Sequence, residues 1–242
     1  MKIFAFILLY ATPFLVSSQT AGRLEQQREN DIYVTRLMAF IPWGEKYRYP
    51  EFRSGNVFYT THKESSSLQL NYNLYLREIE VINEKDDTVY LANFEIVKYI
   101  LLDRDLYVHD VNKGYFEILS NPNDSIRLIG QRKLDIRRRE PLRDHETPQL
   151  TSSDESFSVI YHPLNHSLPR EKVTLAKVIL LFLMDGKGEI HLAHKTTFLK
   201  LFPKFKKQIE DYLSLMDKQQ TPIRFNEPED LRKLLDFCLR QA

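Results

Sequence analysis

The stretch "LNYNLYLREIEVI", residues 70–82, decides the fold. In an extended chain successive side chains point to opposite faces, so Leu70, Tyr72 and Leu74 share one side while Asn71 and Asn73 share the other. A turn falls within residues 74–78, opened by Asn73, whose side chain can bond nearby backbone; Ile79 and Val81 then resume one face. The stretch therefore reads as a β-hairpin. A polar, aromatic ligand surface made by Asn71, Tyr72 and Asn73 is the alternative, but turn chemistry alone accounts for these residues.

Working outward, residues 55–136 repeat the same grammar. "GNVFYTT", "SLQLNYN", "REIEVIN", "DTVYLAN", "EIVKYILL", "DLYVHD", "GYFEIL" and "SIRLIGQRKLDI" are rich in Val, Ile, Leu, Tyr and Phe with period-two alternation. The connectors "NEKDD", "DRD", "VNKG" and "NPND" supply Asn, Asp, Gly and Pro for tight turns. Strands so closely spaced leave no room for crossover helices, which excludes a parallel sheet and predicts an antiparallel meander.

Apolar periodicity then lapses. Arg132, Lys133, Arg137, Arg138 and Arg139 form a basic cluster balanced by Glu140, Asp144 and Glu146, and residues 140–155 read as a flexible connection. Beyond it, "KVTLAKVILLFLMDGKGEIHLAH" predicts a strand, a turn at 185–188 and a returning strand. Phe205, Ile209, Tyr212, Leu213 and Met216 recur at helical spacing after Pro203, and Leu231, Leu234, Leu235 and Cys238 form a second helical stripe, with Asn226 as its cap and Glu229 completing a capping box. The expected class is α+β: an N-terminal antiparallel β-meander followed by a β-hairpin and two C-terminal helices.

The N-terminus "MKIFAFILLYATPFLVSSQ" has one Lys, an apolar run interrupted by Pro13, and small residues at its end, the pattern of a secretory leader cleaved after Ser18. The expected organisation is thus a leader at 1–18, a β-rich domain at 19–139, the connection at 140–155 and an α+β region at 156–242. After cleavage no apolar run is long enough to span a bilayer. The whole chain has 34 Lys and Arg against 33 Asp and Glu, and Lys2 leaves with the leader. A balanced charge argues against nucleic acid as a partner. A single cysteine, Cys238, allows no internal disulfide, so stability must come from a packed core.

Chemistry-bearing patterns are sparse. There is no nucleophile elbow, phosphate loop, HExxH or dinucleotide fingerprint, and no motif asks for a cofactor. His162 with His166, and His191 with His194, are paired at short spacing, and Asp185 or Asp154 could add an oxygen, which makes zinc at His191 and His194 the metal alternative. Glu78 with Glu80, and Asp86 with Asp87, offer carboxylates, but glycoside hydrolysis needs two held across a cleft. Exposed aromatics and amides at Trp43, Tyr47, Tyr49, Asn71 and Asn73 are the candidate ligand surface, because Trp and Tyr join apolar area to a polar handle.

Residues 49–93 carry a resemblance. Tyr49-Pro50-Glu51-Phe52 followed by Gly55 and Val57, the LNYN at 70–73, Glu78 with Ile79, and Asp87 with Thr88 are similar to the motif of a family of uncharacterised exported proteins of Gram-negative envelopes. "LKLFPKFKKQIEDYL" and "FNEPEDLRKLLDFC" extend the likeness to the C-terminal half. This chain departs from that pattern at "THKESSS", where an Asp-Gly turn is usual, and at Arg77, where Gly is common. The resemblance implies export to the periplasm or beyond and assigns no catalytic residue. The expectation is a noncatalytic binding or structural module of the envelope, contacting a protein or a glycan. The alternatives are a metal-assisted hydrolase and a lipid carrier built as a closed apolar meander.

Overall fold

The computed structural model describes residues 37–61, 63–65, 67–91, 96–141, 156–161 and 171–241. The chain falls into two units, 1–40 and 41–242. Of the first, only a helical turn at 37–40 is described. The leader at 1–18, Asp154, His162 and His166 lie outside the described residues.

The described strands are β1 (Arg53–Tyr59), β2 (Leu68–Asn73), β3 (Glu78–Ile82), β4 (Thr88–Tyr90), β5 (Val97–Leu102), β6 (Asp105–Asp110), β7 (Gly114–Ile118), β8 (Arg127–Pro141), β9 (Ser156–Tyr161), β10 (Glu171–Met184) and β11 (Ile190–Leu192). They make one sheet in the order β11-β10-β8-β7-β6-β5-β1-β2-β3-β4, with β9 beside β10. Every described pairing is antiparallel. The helices are α1 (Trp43–Lys46), α2 (Lys195–Leu201), α3 (Lys206–Lys218) and α4 (Pro228–Gln241), with a 3-10 turn at Pro203–Phe205 between α2 and α3.

The protein is thus mostly antiparallel sheet with a few helices. A single sequential meander is not what forms. β1 to β4 run outward in one direction, and the chain then returns so that β5 pairs with the free edge of β1 and β5 to β8 run outward in the other. Gly55 permits that close central pairing: a Cβ there would lie 2.4 Å from the Leu101 carbonyl oxygen on β5.

The sheet curls, and the β2–β3 turn closes the curl. The Leu134 N–H on β8 donates to the Leu74 carbonyl (3.1 Å), and the Tyr115 N–H on β7 donates to that of Arg77 (3.2 Å). Gly114, at φ +81°, accommodates this approach, since a Cβ would stand 2.7 Å from the Arg77 oxygen. Inside lie Val57, Leu70, Tyr72, Ile79, Ile100, Leu102, Tyr107 and Tyr115. The rings of Tyr72 and Tyr107 stack at 5.5 Å.

A second core joins the far end of the sheet to the helices. Leu128, Leu181 and Leu183 from β8 and β10 meet Phe198 and Phe202, Ile209 of α3, and Leu231, Leu234, Leu235 and Cys238 of α4. Each fully buried Leu or Phe contributes roughly 1.5–3 kcal/mol of transfer free energy. β8 and β10 pair from Arg127↔Met184 to Pro141↔Glu171, so the regions on either side of the expected connection share one ladder. Residues 140 and 141 of that connection close β8; 142–155 lie outside the described residues.

Two expectations at the C-terminal end need correction. A helix, α2, precedes the two that periodicity predicted, because "KTTFLKL" is too short to show a repeat. The last helix starts at Pro228, not directly after Asn226, since the fixed φ of proline suits the first helical position.

Candidate functional site

The expected ligand surface forms around β2, but most of its polar groups face inward. Residues 46–48 run alongside 72–74: Arg48 N–H donates to the Tyr72 carbonyl (2.9 Å), Leu74 N–H to that of Lys46 (2.8 Å), and Tyr47 bridges to Asn73. This segment covers the asparagine side of β2, so Asn71 is fully buried. Its Oδ1 accepts from the backbone of Tyr72 (2.9 Å) and Tyr49 (3.3 Å), and its Nδ2 donates to the carbonyls of Tyr49 (2.9 Å) and Glu51 (3.1 Å). All four bonding positions of the amide are used. Asn71 is a clamp on the chain before β1.

Asn73 opens the turn as its residue type suggests. Its Oδ1 accepts the N–H groups of Tyr75 and Leu76, both at 3.0 Å, and its Nδ2 donates to Glu80 Oε1 (2.9 Å). Glu80, on the neighbouring strand, is itself buried and accepts the Tyr47 hydroxyl on its other oxygen (2.6 Å). A buried carboxylate is tolerated when donors replace its hydration, and here two do. Burial, reinforced by the hydrogen bond to Glu80, pushes the Tyr47 phenol above its ordinary value. The Tyr49 hydroxyl bonds Asp105, and the guanidinium groups of Arg48 and Arg53 stand 5.4 and 5.9 Å from its ring centre.

Of the five residues expected to be exposed, Tyr47, Asn71 and Asn73 are therefore buried and Tyr49 is half-buried. Trp43 alone is open, at 52% exposure. Its ring centre lies 4.7 Å from Tyr47 and 6.4 Å from Phe52, with Tyr47 and Phe52 5.5 Å apart. Tyr90 on β4, opposite Glu80 in register, is 60% exposed. Phe52 and Tyr90 are not among the ligand-surface candidates: the sequence marks Phe52 only within the motif at 49–52 and Tyr90 only as part of the strand "DTVYLAN". Glu80 accepts from Tyr47 and Asn73 within the buried network, and Asp86 and Asp87 sit exposed in the β3–β4 turn.

The histidines separate. His191 on β11 turns its Nε2 toward Asp185 Oδ2 (3.8 Å) and Glu189 Oε2 (3.7 Å). Among the described residues His194 joins no such group; it lies exposed at the start of α2, its carbonyl accepting the N–H of Thr197 and Phe198. Glu189 was not singled out from the sequence, although Asp185, Glu189 and His191 fall within one hairpin. Elsewhere, an open hollow of about 610 Å³ lies between the end of α3 and α4, lined by Met216, Thr221, Ile223, Arg224, Asp230 and Lys233. Its charges are paired internally, Arg224 Nε donating to Asp230 at 2.9 Å.

No family model matches the chain. No curated protein and no solved structure matches it either. Among the described residues no helix is long and apolar enough to cross a membrane.

Proposed function

We propose that this chain is a noncatalytic binding module exported to the cell envelope, and that it contacts a protein through the surface centred on Trp43. The observation that carries this reading is the contrast within the site. Trp43 and Tyr90 are open, while the amides and carboxylate beneath them are consumed by internal bonds. Glycan recognition joins an aromatic platform to free polar groups at its rim; here the polar groups hold the platform. A rigid aromatic area with few free donors suits the anchor of a protein interface, where Trp and Tyr are enriched.

Export rests on the leader pattern at 2–18 and on the resemblance to exported envelope proteins. Fractionation with N-terminal sequencing tests it, with Gln19 expected as the first residue of the mature chain. For the contact surface, the mature protein and its Trp43→Ala and Tyr90→Ala variants are used to capture envelope proteins, and any captured protein is purified and titrated against each of the three by calorimetry, with the emission of Trp43, the sole tryptophan, as a second readout where it is present. Affinity falling by ~2 kcal/mol or more in Trp43→Ala supports the proposal. A partner held equally by Trp43→Ala, or a polysaccharide that shifts the emission where proteins do not, sinks it.

A further inference from the structure

The β10–β11 hairpin carries three metal-ligating side chains that the binding reading does not use. Asp185, Glu189 and His191 each offer one donor atom, and these atoms all lie within 4.8 Å of one another. The set is mixed, one imidazole nitrogen with two carboxylate oxygens, which differs from a surface cluster of acids.

The geometry is close to what a small cation needs. For bonds of about 2.1 Å, the donors at two corners of a tetrahedron stand about 3.4 Å apart. The imidazole-to-carboxylate separations are 3.8 and 3.7 Å. A rotamer adjustment of a few tenths of an ångström closes each; the two carboxylate oxygens, within 4.8 Å of one another, are drawn together by Glu189, whose side chain is 66% exposed and free to move.

The fold also presents the donors in usable form. Asp185 Oδ1 accepts the N–H groups of Lys187 and Glu189, both at 2.9 Å, so the carboxylate is fixed with Oδ2 turned toward His191. His191 is seated by its pairing with Leu183, a buried residue of the helix-backed core. Gly188, at φ +85°, makes the turn that brings Glu189 back over Asp185.

We propose that Asp185, Glu189 and His191 bind a divalent transition-metal ion of the zinc class at the tip of this hairpin. An imidazole disfavours calcium and magnesium, which take oxygen ligands, and the absence of thiolate from the set disfavours copper(I). Three protein ligands leave one position of a tetrahedral zinc for water. The expected consequence is a tighter hairpin, since an ion bound only by the native state stabilises it.

The test uses the mature protein, stripped with a chelator and freed of any affinity tag, titrated with zinc by calorimetry and followed by thermal unfolding. One ion per chain is expected, with a raised melting temperature. Asp185→Asn keeps the Oδ1 acceptor for the turn and removes the Oδ2 ligand, so it tests the metal without undoing the hairpin. Asp185→Asn and His191→Ala should each weaken binding by at least about tenfold. His194→Ala should leave it unchanged. Zinc uptake that survives His191→Ala, an equal loss in His194→Ala, a preference for calcium over zinc, or no saturable uptake would each overturn the proposal. None of these outcomes touches the Trp43 surface, so the two readings fail separately.

Discussion

The two cores of this sheet are built from different materials. The curled part buries Tyr72, Tyr107 and Tyr115 together with the polar residues Asn71, Asn73, Glu80, Glu117 and Gln131, whereas the helix-backed part buries Leu128, Leu183, Phe198, Ile209, Leu231, Leu234 and Cys238. Hydrogen bonds are directional and leave costly orphans when broken, so the first core fixes where chain segments lie. Apolar packing depends on volume and area, so the second core mainly adds stability. Geometry and stability are thus sited at opposite ends of one sheet.

Alkali gives the largest expected effect and separates the cores most clearly. Burial pushes the phenols of Tyr47, Tyr49, Tyr72, Tyr107 and Tyr115 above their ordinary value. A group whose folded value is raised stabilises the native state fully below its unfolded value, about 10 for tyrosine, and that stabilisation is lost as the pH climbs toward the folded value. Stability should hold to about pH 10 and then collapse steeply, with these tyrosines ionising together with the loss of circular dichroism. If they titrate smoothly in a chain that keeps its native spectrum, the curled core is more open than described.

Next in size is the dry core. Phe198→Ala should cost roughly 3–5 kcal/mol in urea unfolding. Cys238, whose thiol burial pushes up to about 12, should be inert to alkylation in the native protein and become reactive as that variant loosens. A loss below about 1 kcal/mol would mean that the helices carry little of the stability.

Arg132→Ala probes the polar side. It strips the guanidinium that donates to Glu117 at 2.6 Å and leaves that carboxylate buried, at a cost of about 3 kcal/mol. Replacing both with apolar residues should cost less than the single change; if it costs more, the pair is valuable in itself. Asn71→Ala, which orphans backbone groups of Tyr49 and Glu51, should cost about 2 kcal/mol and alter Trp43 emission as the covering segment loosens. Smallest is Arg77→Gly: Arg77 sits at φ 60°, where glycine has no steric penalty, and a gain of roughly 0.5–1 kcal/mol is expected.

What was legible in the sequence was local. Strands β1 to β8 could be read because alternation and turn residues are encoded over a few positions; even the left-handed residues Asp86 and Asp103 sit in "NEKDD" and "DRD". The pairing of β1 with β5 and of β8 with β10 depends on which edges meet after collapse, and no short window records it. Asn71 was misjudged as exposed for a related reason. Asparagine is usually found at the surface, and the segment that buries it lies 20 and more residues earlier. At the hairpin, His191 and Asp185 were visible as residue types, but only the β10–β11 register joins them to Glu189 and sets His194 apart.

The clasp of the β2–β3 turn on β7 and β8 bears on the order in which the molecule assembles. Hairpins such as β5–β6 join near neighbours and close at small entropic cost, but the Tyr72 hydroxyl meets the Arg132 carbonyl 60 residues on, and no local structure favours that meeting. The clasp is therefore expected to close late, after the folding barrier is crossed. A mutation at Leu74 should speed unfolding and leave the folding rate almost unchanged. Until that closure the tyrosine face is uncovered, and the nascent chain is most prone to associate with its own copies in that interval.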